Sequence, residues 1–197
     1  MIMRYYREIH LSGEMEIALG FIWRKLYEQL HRSLVDISDA EGKVSVGFSF
    51  PRYDKDRFPL GDRLRIFSPE KNMLDEMKLD KRLIAMNDYL QLSEIYETPE
   101  NSGFAIFRRR QFKTNPKRLA RRYAKRHNIS IEESEKRYQN FKEEEIIKRN
   151  QLAFINFHSS STGQRIRIFI EKIDKSEEMG GKFNTFGLSR EATVPEF

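Results

Sequence analysis

The order of secondary-structure patterns in the first 97 residues constrains the fold more than any other feature of the chain. Segments typical of strands and helices follow one another as strand, helix, strand, strand, helix, strand. The clearest of them is "KVSVGFSFP", where apolar residues alternate over positions 44–50 until Pro51 ends the pattern. This βαββαβ order is that of a ferredoxin-like unit. It predicts an α+β protein whose N-terminal domain is ferredoxin-like.

Both helices of this unit are predicted from the spacing of apolar residues. Ile22, Leu26 and Leu30 recur at four-residue steps and predict a helix over about Glu14–Ser33. The second helix is predicted within residues 69–86, and its expected buried positions are Leu74, Met77 and Ile84.

A domain boundary is predicted between residues 97 and 98, since Pro99 and Gly103 interrupt the chain nearby. The predicted domains are therefore 1–97 and 98–197. In the second, Asn115 as N-cap and Pro116 at the first helical position predict a helix over about 115–127. The other elements predicted there are a strand over 103–112, a helix from Ser130 to about Asn150, two strands over 152–158 and 165–173, and a short strand within 180–189.

Positive charge is concentrated in one segment of the chain. Residues 108–126 contain ten lysines and arginines and no acidic residue, which leaves 26 basic against 30 acidic residues elsewhere. On a helix, five of these side chains fall within an arc of about 140°. They are Arg118, Arg121, Arg122, Lys125 and Arg126.

Such a face is either simply solvated or binds a polyanion. Solvated faces normally alternate acidic and basic residues, so the absence of acids favours nucleic acid. A helix-turn-helix DNA regulator is the weaker alternative, because the following helix, expected to read the bases, is acidic and would be repelled by phosphate.

Composition excludes several classes of site. The chain has no cysteine, which rules out disulfides, thiolate nucleophiles and cysteine-ligated zinc. No HExxH motif or acidic cluster predicts a metal site, so neither a metal nor another cofactor is expected. No apolar run approaches the ~20 residues of a membrane span, and the N-terminus lacks a signal-peptide core. We therefore expect a soluble cytoplasmic protein.

Two features are suited to RNA chemistry without a metal. The loop "SSSTGQ" at 159–164 offers hydroxyls and backbone N–H groups for a phosphate, or is an ordinary hairpin loop. His31, near the apolar face of the first helix, is either structural or a general base. RNA supplies its own nucleophile in the 2′-hydroxyl, so a histidine base and nearby cations suffice for cleavage.

Several segments together resemble the CRISPR-associated endoribonucleases of subtype I-F, which cut precursor CRISPR RNA at the repeat hairpin. They are "LHRSLV", "VGFSFP", "LGDRLRI", "RRRQFKTNPKRLARR", "SSSTGQRIRIFI" and "FGLS", spread over nearly the whole chain. The resemblance implies a ferredoxin-like domain followed by an RNA-binding domain with an arginine-rich helix. It also implies His31 as the catalytic base toward the 2′-hydroxyl and Ser159 as the residue that holds that ribose.

The resemblance further implies how the hairpin is bound. Arg109 and Gln111 match residues that read bases near the foot of the stem, and Arg122 and Arg126 match arginines that enter its major groove. The remaining expected RNA-binding residues are Arg118, Arg121, Lys125, Ser161, Thr162 and Ile166. Ile166 replaces an aromatic residue that stacks on the terminal base pair, and Phe186, expected to support the active site, replaces a tyrosine.

The expected reaction leaves a 2′,3′-cyclic phosphate or 3′-phosphate and a 5′-hydroxyl. The family also implies a protein that is monomeric when alone, keeps its product and joins other Cas proteins of the type I-F surveillance complex. A non-catalytic hairpin-binding subunit of a ribonucleoprotein complex is the main alternative, because Phe186 lacks the family's hydroxyl.

Overall fold

The computed structural model describes residues 2–12, 18–54, 58–112, 116–138, 149–159 and 163–197. It has the predicted α+β class. The chain forms two compact units, one made of Met1–Arg109 and Ala153–Phe197 and the other of Arg110–Leu152. These boundaries differ from the predicted division at residue 97, which stays a prediction.

Strands and helices follow one another in the predicted order. Several of the predicted elements are shorter than expected or are divided into two. The strands are β1 Tyr5–Leu11, β2 Lys43–Val44, β3 Gly47–Ser49, β4 Arg63–Ser68, β5 Leu90–Leu92, β6 Tyr96–Glu97, β7 Gly103–Arg110, β8 Ala153–His158, β9 Arg165–Lys175, β10 Phe183–Asn184 and β11 Val194–Glu196. The helices are α1 Leu19–Asp36, α2 Lys71–Glu76, α3 Leu79–Arg82, α4 Pro116–His127 and α5 Ile131–Arg137, with a 3-10 turn at Ile84–Met86. None of these helices in the described ranges is long and apolar enough to cross a membrane.

The N-terminal strands form an antiparallel sheet in the order β3-β4-β1-β5, with β6 also paired to β1. The last strand of the predicted βαββαβ order is thus divided into two short strands, β5 and β6. The predicted strand over 43–51 also divides, because β2 pairs with β10 and only β3 joins the sheet. Its alternating apolar residues are all buried, as their pattern indicated; they are Val44, Val46, Phe48 and Phe50.

Helix α1 packs one face into the core of the larger unit. The backbone of Ala18 is extended and the helix begins at Leu19, while the predicted start near Glu14 lies outside the described residues. The end lies three residues beyond the predicted Ser33. The buried positions follow the helical period and include the three predicted ones: Ile22, Trp23, Leu26, Tyr27, Leu30, Ser33 and Leu34.

The second predicted helix of this unit is interrupted. Lys78 has a left-handed backbone with φ of 51°, which ends one helical segment and begins another. Leu74 and Met77, before the break, are buried as predicted. Ile84, after it, is 67% exposed, so its predicted burial is wrong. The break changes the helical register on which that prediction depended.

The remaining strands form a second sheet in the order β11-β7-β9-β8. Strands β8 and β9 are antiparallel partners from Ala153↔Ile170 to His158↔Arg165. Strand β11 was not predicted; it pairs with the start of β7. The predicted short strand within 180–189 is present as β10.

The smaller unit contains α4 and α5. The predicted arginine-rich helix is present from Pro116, while its expected cap Asn115 lies outside the described residues. Ser130 caps α5 as predicted by accepting a hydrogen bond from the Glu133 N–H. The Ser134 hydroxyl donates to the Ala120 carbonyl at 2.8 Å and links the two helices. Helix α5 ends at Arg137, short of the predicted Asn150, and residues 139–148 lie outside the described residues.

Candidate active site

The side chain of His31 lies between α1 and the segment after β10. Its Nδ1 is 2.7 Å from the Thr185 carbonyl oxygen. A carbonyl oxygen can only accept a hydrogen bond, so Nδ1 carries the hydrogen and donates it. In the neutral imidazole, Nε2 is then the unprotonated nitrogen, and it can accept a proton.

Two aromatic rings hold the imidazole. The Phe186 ring stacks on it at 4.3 Å between centroids and 8° between planes. The edge-on ring of Phe157 is 5.2 Å away at 87°. The Arg109 guanidinium lies over the Phe186 ring, with Cζ 5.3 Å from the ring centroid. A cation, an aromatic ring and the imidazole are therefore neighbours, drawn from β7, the segment after β10 and α1.

Burial lowers the pKa of His31 below its ordinary value of 6.5. The hydrogen bond to Thr185 raises this pKa, while the positive charges of Arg109 and Arg32 lower it. Since the net direction is downward, the neutral imidazole is the main form at pH 7. A neutral imidazole with its Nδ1 occupied is the form that can act as a general base.

A tight turn at residues 184–187 presents the partners of His31. The Gly187 N–H donates to the Asn184 carbonyl at 2.8 Å, and the Asn184 side-chain oxygen accepts the Phe186 N–H at 2.8 Å. The Tyr27 hydroxyl, one helical turn before His31, donates to the Phe186 carbonyl at 2.7 Å. Burial raises the pKa of Tyr27, so its hydroxyl stays protonated as a donor. The turn is therefore tied to α1 at two points.

Gly187 is required by this turn for two separate reasons, which predicts a large effect of substitution. Its φ is 69°, and a Cβ there would lie 2.3 Å from the buried Phe48 ring. Gly42 has a matching φ of 68° but nothing within 4 Å of its Cβ position. We expect Gly42→Ala to cost about 1 kcal/mol of unfolding free energy. Gly187→Ala should cost roughly 1–3 kcal/mol more because of the clash.

Urea denaturation of the two variants beside the unsubstituted protein measures this difference directly. Equal destabilisation by the two substitutions would contradict the tight packing of the turn against Phe48.

Ser159 and Ile166 belong to the β8–β9 hairpin beside this site. Ser159 follows β8, two residues after Phe157, and its N–H donates to the Gln164 carbonyl at 2.9 Å. Ile166 is directly opposite Phe157 in the strand pairing and is half-buried. The loop closes through a bond from the Gly163 N–H to the Ser159 carbonyl. Ser161 and Thr162 lie outside the described residues.

The other predicted RNA-binding residues lie in the smaller unit. Gln111 follows β7 and is exposed. All five basic residues predicted on one helical face are exposed on α4: Arg118, Arg121, Arg122, Lys125 and Arg126. The residues of this helix that are buried are Ala120 and Ala124. Leu119 and Tyr123 of the same helix are half-buried.

Four residues around His31 were not predicted from the sequence: Tyr27, Asn184, Thr185 and Gly187. Tyr27 is four residues before His31, so the helical period already indicates a shared face. The sequence "NTFG" places Asn and Gly at the ends of a four-residue turn, which is the composition of a type I turn. The contact of His31 with the Thr185 carbonyl had no sequence signal, because any residue supplies a carbonyl.

Comparisons with known proteins found a matching family model and related proteins. The family model described as "CRISPR-associated protein (Cas_Csy4)" matches residues 6–197. A protein of Pseudomonas aeruginosa (strain UCBPP-PA14), named CRISPR-associated endonuclease Cas6/Csy4, is 34% identical over 197 residues, covering 99% of this chain and all of its own length. Another of that name from Escherichia coli (strain UTI89 / UPEC) is 32% identical over 196 residues, with 99% and 100% coverage.

Proposed function

The chain belongs to the Cas_Csy4 family of CRISPR-associated proteins, and on that premise we propose that it is an endoribonuclease that cuts precursor CRISPR RNA at the base of the repeat hairpin. The observation that carries this proposal is the state of His31. Its Nδ1 donates a hydrogen bond to the Thr185 carbonyl, and burial lowers the pKa of the imidazole. The Arg109 guanidinium lies over the Phe186 ring that stacks on the imidazole. These are the requirements of a general base for RNA cleavage that uses no metal.

The proposed reaction is attack by a 2′-hydroxyl on the neighbouring phosphate. His31 Nε2 removes the 2′-hydroxyl proton while the 2′-oxygen bonds to phosphorus. The bond from phosphorus to the 5′-oxygen breaks, and that oxygen takes a proton from water. The products are a 2′,3′-cyclic phosphate and a 5′-hydroxyl. Ser159 is proposed to hold the attacking ribose, with Phe186 supporting the imidazole by stacking.

Binding of the hairpin is assigned to the basic helix and its neighbours. Arg122 and Arg126 are proposed to enter the major groove of the stem, with the other basic residues of α4 on phosphates. Arg109 and Gln111 are proposed to read bases near the foot of the stem, and Ile166 to cover its terminal base pair. Ser161 and Thr162 complete the proposed contacts. The uncompensated charge of the α4 face supports this assignment.

The two-domain description of the family is proposed for this chain as well. The antiparallel order β3-β4-β1-β5, reached through α1 and through α2 with α3, supports a ferredoxin-like domain over 1–97. Residues 98–197 are then the RNA-binding domain. We also propose that the cytoplasmic protein, monomeric when alone, retains its product hairpin and joins other Cas proteins of the type I-F surveillance complex.

Incubation of the purified protein with the repeat hairpin in EDTA tests the proposed activity. A single cut that leaves a 5′-hydroxyl is expected. Binding without a cut would instead support a non-catalytic hairpin-binding subunit, for which the missing hydroxyl at position 186 leaves room. Preference for duplex DNA over hairpin RNA would contradict both functions and support a DNA-binding regulator.

The lowered pKa of His31 predicts the pH dependence of cleavage. The base must be neutral, so the single-turnover rate should be constant near pH 7 and fall as the pH drops through an apparent pKa below 6.5. Phe186→Ala should raise that pKa, because removing the stacked ring reduces desolvation of the imidazolium. An NMR titration of the His31 ring, assigned by loss of its signal in His31→Ala, measures the pKa independently of activity. A pKa above 6.5 in the unsubstituted protein would contradict this expectation.

A further inference from the structure

A cavity of about 510 Å³ lies beside His31 and is not used by the proposed cleavage mechanism. It is formed by the first turns of α1 and by the ends of β8 and β9 that meet at their loop. Its volume falls within the roughly 300–1,000 Å³ of ligand pockets. It is therefore large enough for a group the size of a nucleotide.

The described lining of this cavity is basic. Arg24 from α1 and both Arg165 and Arg167 from β9 contribute to it, and no acidic residue does so among the described residues. The Nε atom of Arg24 is buried and has no hydrogen-bond partner in the described part of the chain. Buried donors are normally paired in proteins, so this atom is suited to an anionic or polar ligand.

An exposed aromatic side chain accompanies the charge. Phe21 lines the cavity and is 48% exposed, so part of its ring is accessible to a ligand. The Arg24 guanidinium lies over its ring, with Cζ 4.8 Å from the centroid. Cations that contact phosphate next to an aromatic face that stacks on a base are how proteins bind single-stranded nucleic acid.

The cavity and the candidate active site share the side chain of Phe157. This ring lines the cavity and also contacts the His31 imidazole at 5.2 Å between centroids. Ile166, which lines the cavity as well, is the residue proposed to cover the terminal base pair of the stem. Unpaired nucleotides begin where that base pair ends, so they would leave the stem at this cavity.

We propose that the cavity binds unpaired RNA that flanks the hairpin next to the cleaved phosphate, with Arg24 and Arg165 contacting its backbone and Phe21 stacking on a base. This inference rests on the proposed function and adds a second contact region to it. A duplex does not suit the site, because the stacking face of Phe21 requires a base that is free of its neighbours.

The test compares three RNAs in EDTA by fluorescence anisotropy. One is the bare hairpin that ends at the cleavage position. The others carry five uridines on the 3′ side or on the 5′ side, and in the 3′ form a 2′-deoxy nucleotide before the cleaved phosphate prevents cutting. At least one flanked RNA should bind about fivefold or more tightly than the bare hairpin, because stacking of one base contributes about 1 kcal/mol or more. The two flanked forms distinguish the strand that is bound.

Substitutions then show which residues are responsible for the gain in affinity from the flanking nucleotides. R24Q/R165Q and, separately, F21A should lose the gain from the flank while keeping the bare-hairpin affinity. K71A/K81A removes the same charge from exposed positions on α2 and α3 and should retain the gain. Thermal melting verifies that each variant is folded.

Two outcomes would overturn the inference while the proposed function stands. One is equal binding of all three RNAs by the unsubstituted protein, and the other is an equal loss for bare and flanked RNA in the variants. Absence of binding to the bare hairpin would instead overturn the proposed function, and this inference with it.

Discussion

His31→Ala is expected to slow single-turnover cleavage of the repeat hairpin by about 10²–10⁴, the usual contribution of a general base. The substitution removes the Nε2 acceptor, and no other histidine contacts the Phe186 and Thr185 cluster in the described residues. Affinity for the uncut hairpin should change little, because the charge proposed to bind the stem is on α4. A large loss of rate with retained binding is therefore the expected signature.

His10→Ala is the matched control for this experiment. His10 is a partly exposed histidine of the same unit, and its Nε2 is 3.1 Å from Asp62 in the N-terminal sheet. Loss of such a contact typically costs about 0–1 kcal/mol of stability and should leave the cleavage rate unchanged. Cleavage by His31→Ala at the rate of the unsubstituted protein would remove His31 from the reaction.

Arg122→Ala with Arg126→Ala is expected to have the opposite effect. Loss of an arginine that contacts nucleic acid typically costs about 1–3 kcal/mol, so hairpin affinity should fall about 30-fold or more. The dependence of log affinity on log salt should become shallower by up to about 1.4–1.8, because two fewer cations then lie between the phosphates that border the groove, and each neutralised phosphate releases about 0.7–0.9 counterions. At saturating protein, the rate of the chemical step should be nearly retained.

Filter binding of the hairpin at a series of salt concentrations measures both quantities. K71A/K81A again serves as control, because it lowers the net charge equally from exposed sites on α2 and α3. If the two double variants weaken binding to the same extent, only overall charge matters. If the salt dependence of the α4 variant is unchanged, the helix is not part of the RNA interface.

Regular patterns in the sequence were sufficient to predict which residues are buried where the spacing of apolar residues along one helix or strand determines their burial. The four-residue spacing of Ile22, Leu26 and Leu30 correctly predicted the buried face of α1. The pattern failed where the backbone departs from its regular form. Lysine carries no signal for a left-handed φ, so the break at Lys78 and the exposure of Ile84 could not be anticipated.

The surroundings of His31 were predictable only in part. The resemblance already associated His31 with Phe186, and the structure brings their rings together. The hydrogen bond that fixes the tautomer of His31 comes from the Thr185 carbonyl, 154 residues further along the chain. Such a contact depends on the tertiary fold and on a backbone atom that every residue has. Its consequence, a neutral imidazole with Nε2 as acceptor, follows only from the three-dimensional arrangement.

The central claim is that His31 activates a ribose 2′-hydroxyl within a bound hairpin. Its most direct test is single-turnover cleavage in EDTA of two hairpins that differ only by a 2′-deoxy substitution at the nucleotide before the cleaved phosphate. The account predicts that the all-ribose hairpin is cut once and that the substituted hairpin is bound but left intact. Cutting of the substituted hairpin at a comparable rate would contradict it, because the proposed nucleophile is then absent.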